Sequence, residues 1–165
     1  MKTAMIIGSV HTDLMEYVKT LPKGNEEPQI LSADTRIAGA GYEAARMFSG
    51  LNFPFHVISD PGILVYGDFA REEAEKLGIQ LCKGSDEVGG CTLTLIDENG
   101  NEGVLCVDGS EYHFSLIQVY DVDPAEYGAV IIYSEMLVSG GSEEIIDLLD
   151  GMDSPVYLVD RRAHV

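Results

Sequence analysis

Positive charge is scarce in this sequence of 165 residues. Lysine and arginine together number 10 against 28 aspartates and glutamates, so the formal net charge is -18. A surface this acidic repels the phosphate backbone of nucleic acids, and it disfavours anionic membrane surfaces for the same reason. We therefore expect neither a nucleic-acid partner nor a membrane partner. An anionic substrate would need a local positive site.

Long apolar runs and paired cysteines are lacking as well. No run approaches the roughly 20 apolar residues of a membrane-spanning helix, and residues 1–8 are too short and too soon polar for a signal peptide. The three cysteines, Cys82, Cys91 and Cys106, show no Cys-x-x-Cys spacing, so we expect reduced thiols in a cytoplasmic protein. The four histidines are scattered, and we predict no metal site.

Strand-like and helix-like segments alternate along the chain, which predicts an α/β domain with a parallel sheet. The predicted strands of this sheet are 4–10, 55–58, 129–133 and 156–159, and the predicted helices are 41–48, 68–77 and 143–149. The last two strands are predicted to be buried. Gly50 and Gly78 are predicted to end the first two helices, and Ser142 to cap the third.

A second set of strands is more polar and is predicted to form an antiparallel flap over one edge of the sheet. Its segments are 14–19, 29–37, 90–97 and 102–107, and the flap as a whole draws on about 12–37 and 91–107. Apolar and polar residues alternate along 91–96, and 98–101 is a hairpin turn signal.

The chain stops six residues after Val159, just beyond a predicted buried strand. In parallel sheets that end of the strand carries the binding crevice, and a covering helix normally follows. We therefore expect residues 1–165 to be one partial α/β domain of a longer protein. A natural edge strand is the alternative.

The strongest local signal for a ligand site is the stretch 38–45, Ala-Gly-Ala-Gly-Tyr-Glu-Ala-Ala. Glycines at the start of a helix let a backbone or ligand approach closely because no Cβ intrudes. The helix N-terminus also offers free N–H donors. A tight turn that packs a helix on a sheet is the purely structural alternative.

The same stretch also fits a dinucleotide fingerprint. Gly39, Gly41 and Ala44 have the required spacing, and Asp60 follows about 20 residues on. However, the segment before the glycines is too polar for the first buried strand of such a fold, and Glu43 would repel a pyrophosphate. A nicotinamide-binding domain is therefore a minor alternative.

A second signal, Gly-Ser-Val-His-Thr-Asp at 8–13, comes just after the first predicted strand. In α/β folds this is where ligand groups lie. Asp13 could accept hydrogen bonds from the hydroxyls of a polyol, or it could be a simple turn former.

These two stretches, in this order and spacing, resemble the ribokinase/PfkB family of sugar kinases. Residues 8–13 resemble the family's opening Gly-Ser-x-Asn-x-Asp, and 38–45 resemble its Gly-Gly-x-Gly-x-Asn-x-Ala start of the first long helix. Further similar segments are 57–78, the flap hairpin at 86–92 with 97–100, and the strand ends 131–135 and 159–162. The resemblance covers nearly the whole chain.

The resemblance implies a ribokinase-like core, with helices on both faces of a parallel sheet and a β-flap that serves as lid and dimer contact. The chain would be the N-terminal, substrate-binding half of an ATP-dependent sugar or nucleoside kinase, with the C-terminal half of the fold absent. The substrate-binding residues that it implies are His11, Asp13, Gly39, Ala40, Gly41, Glu43 and Glu135.

Two departures bear on the substrate, because His11 and Glu43 stand where the family has asparagine. An amide donates and accepts hydrogen bonds whereas a carboxylate only accepts, so an amine or a donor-rich ligand would suit Glu43. The Arg161 and Arg162 pair is either solvated surface or the lining of the crevice mouth.

The family's catalytic base and nucleotide site belong to its C-terminal half, so no residue of this chain is assigned a catalytic role. The resemblance implies ATP and Mg²⁺ for the complete protein, with neither bound to this chain alone. We expect the chain alone to be inactive. The main alternative is a non-catalytic short form that binds ligands or dimerises through its flap strands.

Overall fold

Two four-stranded sheets make up the computed structural model of the protein. The structure describes residues 2–82, 84–114, 116–119, 122–138 and 141–160. Arg161 and Arg162 lie outside the described residues. In chain order the elements are β1 (Thr3–Ile7), β2 (His11–Val18), β3 (Ile30–Ala38), α1 (Ala40–Gly50), β4 (Phe55–Ile58), α2 (Leu64–Lys76), β5 (Cys91–Ile96), β6 (Glu102–Val107), β7 (Tyr127–Tyr133), α3 (Ser142–Asp150) and β8 (Val156–Val159). Short 3-10 turns lie at Ser110–Tyr112, Leu116–Val119, Pro124–Glu126 and Ser134–Leu137.

The body sheet is parallel and has the order β4-β1-β7-β8, as the apolar runs predict. Successive residues of β1 point to opposite faces, and both faces are buried. Met5 and Ile7 belong to one apolar cluster, and Ile6 belongs to the other. The centre of this sheet is therefore the centre of the core.

Helices cover both faces of the body sheet, which confirms the predicted layer arrangement. Ala44 and Ala45 of α1 and Ala74 of α2 pack in the cluster around Ile6, whereas Ile145 of α3 packs in the other. Met47 and Leu77, although apolar and within the predicted helices, are half exposed or more. None of the described helices is long and apolar enough to cross a membrane.

The flap sheet has the order β3-β2-β5-β6. Its outer pairs are antiparallel, as predicted, but the central pair β2 and β5 is parallel. The flap is therefore mixed rather than antiparallel throughout. β2 and β5 are each the first strand of a hairpin that leaves the body sheet, so the two strands run in the same direction.

Several predicted boundaries are corrected by the structure. The first strand ends at Ile7 rather than at residue 10, and β2 begins three residues before its predicted start. Helix α2 begins at Leu64, four residues early. Ser142 is the first residue of α3 and makes no cap hydrogen bond, because Gly141 takes the cap position in a left-handed conformation.

Of the two glycines predicted to end the first two helices, one does so and the other does not. Gly78 follows α2 with a φ of 71°, as a terminating glycine should. In α1, Gly50 is still helical, and Asn52 takes the left-handed position with a φ of 52°. The amide of Phe53 then donates to the Phe48 carbonyl at 3.0 Å, and the two rings meet edge to face.

Strand β8 was predicted to be buried, but it is largely exposed. It forms the edge of the body sheet, and Val156, Tyr157 and Leu158 are exposed. The apolar sequence of β8 therefore predicts a strand correctly, but it does not predict how far that strand is buried.

Candidate functional site

The order of the body strands creates a crevice between β1 and β7. After β1 the chain passes through the β2–β3 hairpin and α1 to β4 on one side, and it later returns to β7 on the other side. The loops after β1 and β7 therefore leave the same edge of the sheet in opposite directions. Ligands of open α/β sheets bind at such a switch point.

Ser9 joins the two loops at this crevice. Its hydroxyl donates to Oε1 of Glu135 at 2.7 Å and accepts from the amide of Ala40 at 3.3 Å. Its carbonyl accepts from the amide of Gly41 at 2.9 Å. The orientation of Glu135 and the N-terminus of α1 are thus both set by one serine.

The predicted glycines at the start of α1 are required by this packing. Gly39 has a φ of 110°, and a Cβ there would collide with the Ser9 carbonyl oxygen. A Cβ on Gly41 would collide with the Gly8 carbonyl oxygen. The close approach that these glycines permit is therefore to the chain's own backbone, as in the tight-turn alternative.

A cavity of about 240 Å³ lies beside this junction. Its lining residues are Asp108, Tyr112, Glu135 and Val138. Glu135 and Val138 come from the turn after β7, whereas Asp108 and Tyr112 come from the segment where the flap returns to the body. Sequence reasoning missed Asp108 and Tyr112. The Asp108-Gly109 pair after β6 indicates a turn, but it does not indicate a ligand site.

The cavity is negatively charged, with Asp108 and Glu135 among its lining residues. Burial raises the pKa of Tyr112 to about 12, and the nearby charges of Glu135 and Glu111 act in the same direction. The Tyr112 phenol is therefore neutral at physiological pH and can donate a hydrogen bond.

His11 extends the site onto the flap. Its ring centroid lies 6.5 Å from that of Tyr112, with the planes tilted by 38°. Alternate residues of a strand share a face, so Asp13 lies on the same face of β2 as His11. The predicted residues His11, Asp13 and Glu135 therefore follow a path from the flap to the body crevice.

Asp13 is buried and hydrogen-bonded on both oxygens. Oδ1 accepts from the hydroxyls of Thr92 and Thr94 at 2.7 and 2.8 Å. Oδ2 accepts from Nε and Nη2 of Arg36, each at 3.0 Å. A carboxylate has about four acceptor positions, so a sugar hydroxyl would have to replace one of these donors.

The side chain of Glu43 is largely exposed on the first turn of α1. Its nearest described charged partner is Arg46, with Nη1 at 3.9 Å from Oε2. The structure therefore places Glu43 at the surface of the helix start, apart from the tightly bonded groups around Ser9.

Asp60, which the dinucleotide alternative requires, is fully engaged within the protein. It is 1% exposed. Its oxygens accept from the Gly62 amide at 2.9 Å, from Arg71 at 3.2 Å, and from the amide and hydroxyl of Ser85 at 2.6 Å. Moreover, β3 before the glycines belongs to the flap sheet, whereas the fingerprint needs a strand of the parallel sheet. Neither feature fits the fingerprint.

The part of the chain that the structure describes offers no fit for a nucleotide with its metal. Within it, no three histidine, cysteine or acidic side chains come together as metal ligands. The amides of Ala40 and Gly41, which could have held a phosphate, are bonded to Ser9.

No family model and no curated protein matches the sequence. Solved structures do match. The ribokinase of Cryptococcus neoformans, in complex with ADP, has a TM-score of 0.76 and 17% identity, with 100% of this chain and 53% of that chain covered.

Two further neighbours have similar scores. Arabidopsis thaliana ribokinase, complexed with ribose and ATP, has a TM-score of 0.74 and 17% identity, with 95% of this chain and 53% of that chain covered. The nucleoside kinase of Methanocaldococcus jannaschii has a TM-score of 0.69 and 18% identity, with 96% and 52% covered. The chain therefore has a ribokinase-like fold, and it spans about half the length of the ribokinase-family kinases to which it is similar.

Proposed function

We propose that this chain is the substrate-binding part of an ATP-dependent kinase that phosphorylates a hydroxyl of a sugar or nucleoside. The observation that carries the proposal is the junction of Ser9, Glu135 and the start of α1 at the switch point of the sheet. This junction borders a cavity that the flap can cover. The ribose bound to one structural neighbour and the nucleoside named for another support this class of substrate.

The proposed roles follow from the geometry. Glu135 accepts hydrogen bonds from substrate hydroxyls in the cavity, and Tyr112 donates one. His11 and Asp13 contact the substrate from the flap, where a hydroxyl replaces one of the Asp13 donors. The backbone at Gly39, Ala40 and Gly41 forms the crevice wall, and Glu43 contacts the ligand at the rim.

Phosphoryl transfer depends on positioning and on stabilising the charge of the moving phosphoryl group. The described residues supply positioning only. We therefore propose that a C-terminal part of a longer, cytoplasmic protein supplies the base, ATP and Mg²⁺, and that this chain alone turns over no ATP.

A binding experiment tests this function. D-ribose and adenosine are titrated into the purified chain by NMR and calorimetry, with ATP turnover assayed in parallel. We expect saturable shifts at Tyr112 and Glu135 with one of the two ligands, and no ATP turnover. Glu135→Gln should raise the Kd about tenfold, which corresponds to about 1.4 kcal/mol for a lost hydrogen bond to a charged group.

Glu143→Gln is the matched control, because Glu143 is exposed on α3 and loses the same charge. It should leave the Kd unchanged. Equal effects of both variants, or no saturable shift with either ligand, would contradict the proposed site. ATP turnover by the chain alone would contradict the proposed division of labour.

A homodimer through the flap is the second proposal, and a row of leucines supports it. Leu14 pairs with Leu93, and Leu93 pairs with Leu105, so the three lie side by side on one face of the flap. Leu105 is exposed, so the three adjoining leucines form an apolar patch on the surface. Exposed apolar patches often mark protein–protein interfaces. We expect a dimer in sedimentation equilibrium that Leu105→Glu dissociates, whereas Leu51→Glu, at an exposed position just after α1, does not. A monomeric chain at high concentration would refute the dimer.

A further inference from the structure

Gly90 and Gly109, the two residues at the base of the β5–β6 hairpin (its roots), touch where the flap joins the body. Gly90 immediately precedes β5, and Gly109 follows β6 by two residues. A Cβ on Gly109 would collide with the amide nitrogen of Gly90. Only glycines can therefore pack this closely. The backbones that enter and leave the hairpin are in contact where they join the body.

The carboxylate of Glu111 is bonded to both roots. It is 2% exposed, Oε2 accepts from the amide of Gly90 at 2.9 Å, and Oε1 accepts from the amide of Gly109 at 3.2 Å. Because each oxygen serves a different strand, the side chain joins the outgoing and the returning chain. A Cβ on Gly90 would collide with Oε1, so the glycine also makes room for the carboxylate.

The surroundings of Glu111 make a buried negative charge costly. Among the described residues, the titratable groups that interact with it include Asp108, Cys91, Cys106 and Tyr112, and none of these four is basic. Among the described ion pairs, none involves Glu111. Burial raises its pKa, while the amides of Gly90, Gly109 and its own backbone oppose that shift. The two glycine amides are therefore what makes an ionised side chain tolerable here.

The same short segment forms one wall of the candidate cavity. Asp108 precedes Gly109, Tyr112 follows Glu111, and both Asp108 and Tyr112 line the cavity. A shift of the hairpin root by even one ångström would therefore move two lining side chains with it.

We propose that Glu111 is a positioning residue whose ionised carboxylate holds both roots of the β5–β6 hairpin against the wall of the cavity. The consequence for substrate binding rests on the proposed function, whereas the coupling of Glu111 to the two hairpin roots does not. When Glu111 takes up a proton from water, one oxygen becomes a hydroxyl donor and a poor acceptor. Protonation therefore releases one of the two roots and loosens the wall.

An NMR titration of the wild-type chain between pH 4 and pH 8 tests this coupling. The amide signals of Gly90 and Gly109 and the ring signals of Tyr112 should shift with one shared midpoint. That midpoint should lie above the ordinary glutamate value of about 4.3. Separate midpoints for the two glycines, or no titration at either, would overturn the proposal.

The variant Glu111→Gln should abolish this shared transition, because the amide does not titrate. At neutral pH it should speed hydrogen exchange at least tenfold at one of the two glycine amides, where its NH₂ replaces an acceptor. Glu102→Gln, an exposed position on β6, removes the same charge and should leave both glycines unchanged. Persistence of the transition in Glu111→Gln would overturn the proposal.

These measurements need no ligand, and the wild-type titration decides the matter even if Glu111→Gln fails to fold. A chain that shows the shared transition but binds neither D-ribose nor adenosine would refute the proposed function and leave the coupling intact. A chain that binds ribose without the shared transition would refute the coupling alone.

Discussion

The body sheet and the flap sheet have four strands each, yet they are stabilised differently. In the body, Met5, Ile6 and Ile7 are inaccessible to solvent, so both faces of β1 bury apolar surface. In the flap, β6 is exposed along most of its length, and β3 is exposed except near its end. Apolar burial therefore stabilises the body throughout. In the flap it is confined to a few positions such as Met15, Val18 and Ile37, so ladder hydrogen bonds and buried carboxylates at the base contribute more.

This division explains where the candidate site lies. A rigid body fixes Ser9 and Glu135 at strand ends, and a less buried flap brings His11 and Asp13 from the other side. Elements with few buried apolar contacts open at low free-energy cost. The flap is thus suited to move over a ligand that the body holds in place.

The largest expected effect comes from truncating the core of the body. Ile132 is 1% exposed on β7, so Ile132→Ala should lower the free energy of unfolding by about 3 kcal/mol through lost burial and a cavity. Leu105 is 58% exposed on β6, so Leu105→Ala should cost about 0.5 kcal/mol or less. Urea unfolding followed by circular dichroism measures both, in dilute protein so that the monomer is observed. Equal losses would contradict the proposed difference between the sheets.

Short strands of both sheets were predictable from the sequence, whereas the start of β2 was not. The bounds of β4 and β8 in the body, and of β6 in the flap, are as predicted, because short apolar runs between turn residues mark strands. The start of β2 was missed because His11, Thr12 and Asp13 look like a polar loop. Their strand conformation depends on pairing with β3 and β5, which are distant in sequence.

The site was predictable only where a residue lies in a recognisable motif. Glu135 follows a buried strand and was predicted, and the structure places it in the cavity wall. Asp108, Glu111 and Tyr112 come from a segment without apolar periodicity. Their positions depend on the crossing of Gly90 and Gly109, which is a long-range contact that no local pattern reports.

A smaller effect is expected at the base of the flap, where Asp13 ties three strands together. Asp13→Asn replaces one acceptor oxygen by an NH₂ group that faces Arg36 or the threonines. Loss of a hydrogen bond to a charged group should reduce the local stability of the flap by about 2 kcal/mol. Amide hydrogen exchange along β2 and β5 should accelerate by about thirtyfold, while exchange in β1 and β7 stays unchanged.

Asp34→Asn is the matched control for that change. Asp34 lies exposed on β3 and accepts only from the amide of Thr35 at 2.9 Å among its described contacts. It should leave exchange in both sheets within about twofold of wild type, as surface substitutions usually do. Acceleration in the body strands by Asp13→Asn would show that the two sheets unfold together, against the comparison above.

The smallest effect distinguishes the two ends of the β5–β6 hairpin by the sign of their pH dependence. Asp97 at the exposed tip accepts from the side-chain and backbone amides of Asn101 and from the backbone amide of Asn99, and these hydrogen bonds lower its pKa. Glu111 at the root also accepts from two amides, but burial outweighs them and raises its pKa. Both carboxylates accept from amides but their pKa values shift in opposite directions, because burial outweighs the hydrogen bonds only at the root.

The consequence for stability is measured relative to neutral variants, so that the other titrating groups cancel. Because the folded pKa of Glu111 is raised, wild type should gain stability over Glu111→Gln as the pH falls through that pKa toward the ordinary glutamate value. Because the folded pKa of Asp97 is lowered, wild type should lose stability relative to Asp97→Asn as the pH falls below the ordinary aspartate value. Urea midpoints from pH 7 down to pH 3 test both signs. The same sign at root and tip would mean that burial does not separate the two ends of the flap, and that the Glu111 carboxylate is as well solvated as that of Asp97.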